Sequence, residues 1–107
     1  MEKEEIRIKF TKKLIDMGFS KVDDFTLIKR TGKPKMTIYF RRNGIFVEFS
    51  NFFNVVSEML VPYDHTKGDF SMFLILVRYS LKELMIKGYS EEIENSLKSL
   101  LPYDNID

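Results

Sequence analysis

Histidine and cysteine, which often carry catalysis or bind transition metals, are almost absent from this chain of 107 residues. It contains no cysteine and a single histidine, His65. Nucleophilic catalysis by serine or threonine needs a neighbouring base, and His65 is the only imidazole available. No nucleophile elbow, phosphate-binding loop or dinucleotide fingerprint occurs. The sequence therefore predicts a protein that is not an enzyme and holds no cofactor.

One short stretch, DHTKGD at residues 64–69, brings two carboxylates and the imidazole together. Such a group is typical of a metal-binding or acid–base loop, yet it is also typical of a solvated loop. In the second case Asp69 would be the N-cap of the helix that follows. We favour the loop, because no second constellation of chemical groups supports a site, and we expect no metal.

Positive charge is concentrated between residues 29 and 42, which contain six lysines and arginines and no acidic residue. Such a hairpin is typical of contact with a nucleic-acid backbone or an acidic partner, and neighbouring aromatic rings would stack unpaired bases. The candidate residues are Lys29, Arg30, Lys33, Lys35, Tyr39, Arg41, Arg42 and Phe46. The alternative is a solvated rim that prevents strand aggregation, with Arg41 in a cation–π pair on Phe46.

Charge also divides the chain as a whole. Residues 7–47 hold eleven basic and three acidic side chains, whereas residues 48–107 hold five basic and ten acidic ones. The protein is nearly neutral, with a net charge of +1, but its charge is divided unevenly, with positive charge in residues 7–47 and negative charge in residues 48–107. This distribution supports electrostatic docking and does not identify the partner.

The predicted helices carry more apolar surface than one small core requires. Ile8 and Ile15 lie on the back of the first helix, opposite its core stripe. A second group, on the back of a later helix, consists of Met72, Ile75, Tyr79 and Ile86. Large exposed apolar patches mark interfaces, so we expect contact with a protein partner or a second copy. The alternative is that the last helix covers the second group.

The first predicted element is a helix over residues 2–17. Its apolar residues recur at helical spacing, acidic residues occupy its first turn, and Gly18 followed by Phe19 is typical of a C-terminal cap. Alternation of apolar residues over residues 5–10 leaves a short initial strand as the alternative.

Three strands follow, at residues 25–30, 36–42 and 45–50, with a turn at residues 31–35. Asn43-Gly44 predicts a two-residue hairpin, which would place Phe40 opposite Val47. The core face would then hold Ile38, Phe40, Ile45, Val47 and Phe49, with Tyr39, Arg41 and Phe46 on the outer face. The first strand can pair in two registers.

The remaining elements are predicted to be helical. A short helix would begin near Ser50 or Asn51 and end before Pro62, a long helix would run from the Asp69 cap to about Lys87, and Gly88 would end it. Ser90 would cap a last helix, with Ile93, Leu97, Leu100 and Leu101 facing inward.

The sequence therefore predicts one compact α+β domain over residues 1–107, with a three-stranded antiparallel meander, helices on one face, and the order α-β-β-β-α-α-α. The predicted function is a small binding module acting through a protein–protein interface, as an adaptor, inhibitor or accessory protein of the kind that phages and mobile elements encode. The alternative is a nucleic-acid-binding accessory protein. No signal peptide or membrane span is evident, so we expect a cytoplasmic location, and no small-molecule substrate is indicated.

Overall fold

The computed structural model describes residues 2–51, 54–84 and 91–101. It confirms the α+β class, but the order of elements is α-β-β-β-β-β-α-α-α and the sheet has five strands instead of three. The elements are α1 (Lys3–Asp16), β1 (Ser20–Asp23), β2 (Thr26–Arg30), β3 (Pro34–Arg41), β4 (Gly44–Asn51), β5 (Asn54–Val61), α2 (Tyr63–Thr66), α3 (Phe70–Leu84) and α4 (Glu91–Leu100).

Helix α1 forms as predicted, so the alternative of an initial strand at residues 5–10 is wrong. Ile6, Phe10 and Leu14 recur at helical spacing and are buried in the core. The helix ends before Gly18, whose φ of +99° is energetically unfavourable for any residue with a Cβ. The Phe19 amide then donates to the Leu14 carbonyl at 3.0 Å, and the Phe19 ring is buried.

The sheet is an antiparallel meander in which the strands lie in chain order, from β1 to β5. Strand β1 was not predicted: all four of its residues are exposed, so no alternation of burial marks it. Strand β2 pairs with β3 in a single register that places Leu27 opposite Ile38.

The hairpin between β3 and β4 is present, but the predicted register is wrong by two residues. Phe40 lies opposite Ile45, and Ile38 lies opposite Val47. The pair Arg41 and Gly44 closes the turn, so Arg42 and Asn43 form it. Because the shift is an even number of residues, the predicted core face is unchanged, and all five of its side chains are buried.

Strand β5 replaces the helix that was predicted before Pro62. It pairs with β4 along its length, with Ile45 opposite Val61 and Val47 opposite Met59. The segment NVVSEMLV contains several β-branched residues, which favour a strand, and an edge of β4 is available for pairing. Tertiary pairing therefore overrides the helical spacing of its larger residues.

The helices pack on the face of the sheet that carries Ile38, Phe40 and Val47, as predicted. One core cluster joins these strands to α1, α3 and α4. Aromatic rings connect α1 to α3, since Phe10 lies 5.2 Å from Phe70 and 5.4 Å from Phe73 between ring centroids.

The N-terminus of α3 is capped as predicted, because the Asp69 carboxylate accepts the backbone N–H groups of Ser71 and Met72 at 2.9 and 3.3 Å. Of the four predicted inward residues of the last helix, Leu97, Leu100 and Leu101 are buried, and the side chain of Ile93 lies outside the described part of the structure. The predicted end of α3 at residues 85–88 and the Ser90 cap lie outside the described residues, as does Ile86.

Candidate functional site

The DHTKGD stretch is built as a connector between the sheet and α3. Residues 63–66 form the short helix α2, and His65 is exposed. The Thr66 hydroxyl donates to the Tyr63 carbonyl at 2.9 Å, and Asp69 caps α3. Within the described ranges no three His, Cys, Asp or Glu residues are grouped as metal ligands would be. The Thr66 hydroxyl and the Asp69 carboxylate therefore stabilise local structure.

The predicted basic residues do not form one continuous surface. On the outer sheet face, Arg30 and Lys35 are paired at one end of the strands, and Arg41 lies at the other end. Glu48 and Glu58 are paired across β4 and β5 between these two groups. A phosphate backbone following the sheet would therefore meet two carboxylates. Lys33 is exposed in the turn between β2 and β3, and it has contacts of its own.

Lys29 lies on the inner face of the sheet and stabilises α1. Its amine donates to the Met17 carbonyl at 2.6 Å, at the C-terminus of the helix, where a positive charge is favourable. The amine also lies 5.9 Å from the centroid of the Phe19 ring. Burial lowers the pKa of Lys29. Its contacts assign this lysine a structural role.

Tyr39, Arg41 and Phe46 form a stack on the outer face of the sheet. Tyr39 lies opposite Phe46, and the Arg41 guanidinium is 4.1 Å from the Phe46 centroid and 5.3 Å from the Tyr39 centroid. Burial, followed by the charge of Glu48, raises the pKa of Tyr39, whose hydroxyl donates to Glu48 at 3.4 Å. The protein's own guanidinium already covers the rings that were predicted to stack bases.

The back of α3 presents a row of exposed apolar side chains, which we call the α3 face. It consists of Met72, Ile75 and Tyr79, exposed to 40%, 41% and 67%. They are spaced by three and four residues, so they lie on one side of the helix. The last helix therefore does not bury them. Between Phe70 and Leu81 the only charged residue is Arg78, and the next charged residues along the helix, Asp69 before Met72 and Lys82 and Glu83 after Tyr79, lie at the two ends of the α3 face.

The other predicted apolar patch, on the back of α1, has a different setting. Ile8 and Ile15 are exposed to similar extents, 47% and 44%. However, eight of the fourteen residues of α1 are charged, and Ile8 lies within one helical turn of Glu4, Glu5 and Lys12. Isolated apolar side chains among charges are ordinary on protein surfaces. The two patches are therefore unequal candidates.

A third feature, which sequence reasoning missed, is a pair of adjoining pockets at the N-terminal end of α1. The smaller pocket, about 540 Å³, is lined by four basic residues and one acidic residue together with aromatic rings: Lys3, Glu4, Arg7, Phe25, Phe40, Arg41, Arg42 and Tyr63. These residues come from α1, the β1–β2 turn, the β3–β4 hairpin and α2. Because these segments are far apart in the sequence, no local residue spacing predicts the site.

Comparisons with protein families, with curated proteins and with solved structures found no match to this chain. In the part of the chain that the structure describes, no helix is long and apolar enough to cross a membrane. The geometry of the chain's own surfaces therefore carries the functional argument.

Proposed function

We propose that the protein is a non-enzymatic binding module and that it docks against another protein chain through the α3 face. The observation that carries this proposal is the exposure of Met72, Ile75 and Tyr79 on one side of a helix whose residues 71–81 include a single charged residue. Buried interface cores are poor in charged residues and rich in aromatic residues and methionine. The α3 face has this composition.

The α3 face also contributes little to the chain's own core. The opposite side of the same helix supplies Phe73, Leu74, Val77 and Leu81 to the buried cluster. The helix is therefore already anchored, and its exposed side chains are presented on a rigid element. A partner gains the burial of these side chains without ordering a flexible segment, which lowers the entropic cost of association.

The basic hairpin supports nucleic-acid binding less well. Lys29 stabilises the end of α1, Arg41 covers the rings of Tyr39 and Phe46, and carboxylates interrupt the row of cations. Nucleic-acid binding is accordingly an alternative outcome of the tests below, and protein binding is the proposed function.

Photo-crosslinking tests the proposal directly. A benzophenone amino acid in place of Tyr79 should form an adduct with a second polypeptide in the cells that make the protein. Ile75→Glu on the same chain should reduce the adduct about tenfold or more, because a buried charge is costly at the centre of an interface. Mass spectrometry then distinguishes a second copy of this chain from a different protein.

The matched controls use the back of α1. A benzophenone in place of the exposed Asp16 should give no specific adduct, and Ile15→Glu should leave the adduct at position 79 unchanged. Loss of the adduct with Ile15→Glu but not with Ile75→Glu would move the interface to α1. The absence of any adduct at position 79 would contradict the proposal.

A further inference from the structure

The smaller pocket contains an arginine whose charge is poorly compensated. The Arg7 side chain is only 20% exposed, yet its nearest carboxylate, Glu4, lies at 3.8 Å and is itself 76% exposed. A cation removed from water needs an anion or several hydrogen bonds to offset its lost hydration. The Glu4 carboxylate is largely solvated and distant, so it supplies little of that offset.

Arg7 is also held in place. One of its Nη atoms donates to the Asp24 backbone carbonyl at 2.9 Å, and the guanidinium lies 4.9 Å from the centroid of the Phe25 ring. The Asp24 carboxylate is paired with Lys21 at 3.2 Å, and the Asp23 carboxylate accepts the Phe25 amide. The acidic groups of this turn are thus engaged elsewhere, which leaves Arg7 with N–H groups for a ligand.

Two further cations line the same pocket. The Lys3 amine donates to the Arg42 carbonyl at 2.7 Å, which fixes its position and leaves two of its three donors. Among the described residues, the Arg42 guanidinium has no hydrogen-bond or ion-pair partner, and Arg42 is exposed at the turn. Arg41 also lines the pocket, although its guanidinium is stacked on Phe46. Planar guanidinium groups and an amine together suit a phosphoryl group.

The adjoining larger pocket, about 890 Å³, restricts the rest of the ligand. It shares Lys3, Glu4, Arg42 and Tyr63 with the smaller pocket. Its remaining polar lining comes from Glu2, Asn43, Asp64 and Lys67. Its three carboxylates are balanced by the three cations Lys3, Arg42 and Lys67, so the larger pocket has no net positive charge to hold a second anionic group, and the carboxylates accept hydrogen bonds from hydroxyl groups. A nucleic-acid strand, with a phosphate at every step, fits this arrangement poorly.

We propose that the two pockets bind a small phosphorylated molecule that bears hydroxyl groups, such as a sugar phosphate. The phosphoryl group lies in the smaller pocket against Lys3, Arg7 and Arg42. The hydroxyl-bearing part lies in the larger pocket against the carboxylates and Asn43. Volumes of this size are typical of small-molecule sites. This site shares no residue with the α3 face, so a test of ligand binding here is independent of a test of the proposed protein interface.

A nuclear magnetic resonance titration tests this site, because a chain of 12.7 kDa gives resolved amide spectra. The probes are inorganic phosphate, ribose 5-phosphate and ribose, at constant ionic strength set with chloride. Both phosphate probes should shift the amides of residues 3–7 and 41–43 and the side-chain Nε–H of Arg7. Ribose 5-phosphate should bind about tenfold more tightly than inorganic phosphate. Ribose alone should cause no shift.

Arg42→Gln is the principal variant, since Arg42 is exposed and its replacement should not affect folding. It should weaken ribose 5-phosphate binding about tenfold. Arg7→Lys, which keeps the charge but loses the planar fork, should also weaken it. The control Arg30→Gln, at the far end of the sheet, should leave the affinity unchanged.

Absence of shifts at these residues with both phosphate probes would overturn the proposal. Equal shifts with chloride alone, or an equal loss of affinity in Arg30→Gln, would also overturn it, since either shows unspecific screening. A single-stranded oligonucleotide that binds far more tightly than ribose 5-phosphate, with the same shifts, would assign the pocket to nucleic acid and exclude the small ligand.

Discussion

The α3 face and the smaller pocket are both exposed, but their side chains are held in position in different ways. In the pocket, backbone carbonyls of Arg42 and Asp24 hold the Lys3 amine and the Arg7 guanidinium in place. On the α3 face, rigidity comes from the buried opposite side of the helix. Fixed polar donors select a small ligand by geometry. An apolar face gains its energy from buried area, so it requires a large partner.

The two regions share one core. Phe10 of α1 packs against Phe70 and Phe73 of α3, and so connects the helix that bears the pocket to the helix that bears the α3 face. A core substitution should therefore affect both regions through the free energy of unfolding. A surface substitution should affect only the region in which it lies.

Phe73→Ala should lower the free energy of unfolding by about 3–5 kcal/mol, because Phe73 is fully buried and contacts Phe10 and Phe70. Urea unfolding followed by circular dichroism measures this change. Tyr79→Ala, on the exposed side of the same helix, should change the free energy by less than about 0.5 kcal/mol. Comparable losses in the two variants would show that the α3 face belongs to the core.

Gly44→Ala should destabilise the fold by about 1–3 kcal/mol. A Cβ at this position would lie 2.6 Å from the Val61 carbonyl oxygen, so β4 and β5 would have to separate. Gly32→Ala is the matched control, because it has a positive φ of +68° but nothing within 4 Å of its Cβ. Thermal unfolding should show the larger loss for Gly44→Ala, and the reverse order would contradict the described pairing.

Tyr63→Phe should lower the free energy of unfolding by about 1 kcal/mol. The change removes the hydroxyl that donates to the Arg41 carbonyl at 2.6 Å, next to the pocket. Tyr79→Phe removes an exposed hydroxyl and should have no measurable effect on denaturant unfolding. A loss in Tyr79→Phe equal to that in Tyr63→Phe would be inconsistent with this hydrogen bond.

The smallest predicted effect is a dependence on alkaline pH. Burial, opposed by the charge of Arg7, raises the pKa of Tyr63 above the ordinary value of 10.0. Above that ordinary value the unfolded chain loses the Tyr63 proton while the folded chain keeps it, so stability falls as pH rises towards the folded pKa. The fall should be shallower in Tyr63→Phe when unfolding is measured across this range. Identical slopes would contradict the raised pKa.

The elements that have a local sequence pattern could be predicted from the sequence. The stripe of Ile6, Phe10 and Leu14 predicts α1, Asp69 predicts the start of α3, and alternation along β3 and β4 predicts the core face. Each of these depends on neighbours a few residues apart. The sequence also identified Met72, Ile75 and Tyr79 as a second apolar group, but their exposure could not be predicted, because a helix that is apolar on two sides is either buried on both or left without a partner on one.

Two of the errors, the predicted helix before Pro62 and the hairpin register, have a common physical origin in β5. The segment before Pro62 has helical spacing, and only pairing with β4 makes it a strand. That same neighbour explains the hairpin register, because Gly44 is needed at the start of β4 where the Val61 carbonyl approaches. Without β5, the Asn43-Gly44 pair is the natural turn. The smaller pocket could not be predicted from the sequence, because Arg7, Phe25, Arg42 and Tyr63 come together only in the folded chain.

We propose that the α3 face and the smaller pocket bind independently of each other. One crossed experiment tests it: Ile75→Glu and Arg42→Gln are each measured for the adduct formed at position 79 and for the affinity for ribose 5-phosphate. We expect Ile75→Glu to lose the adduct and keep the affinity for the phosphorylated ligand, and Arg42→Gln to do the reverse. Loss of both activities in either variant while it remains folded, or loss of neither activity in both variants, would show that the two surfaces are not separate binding sites.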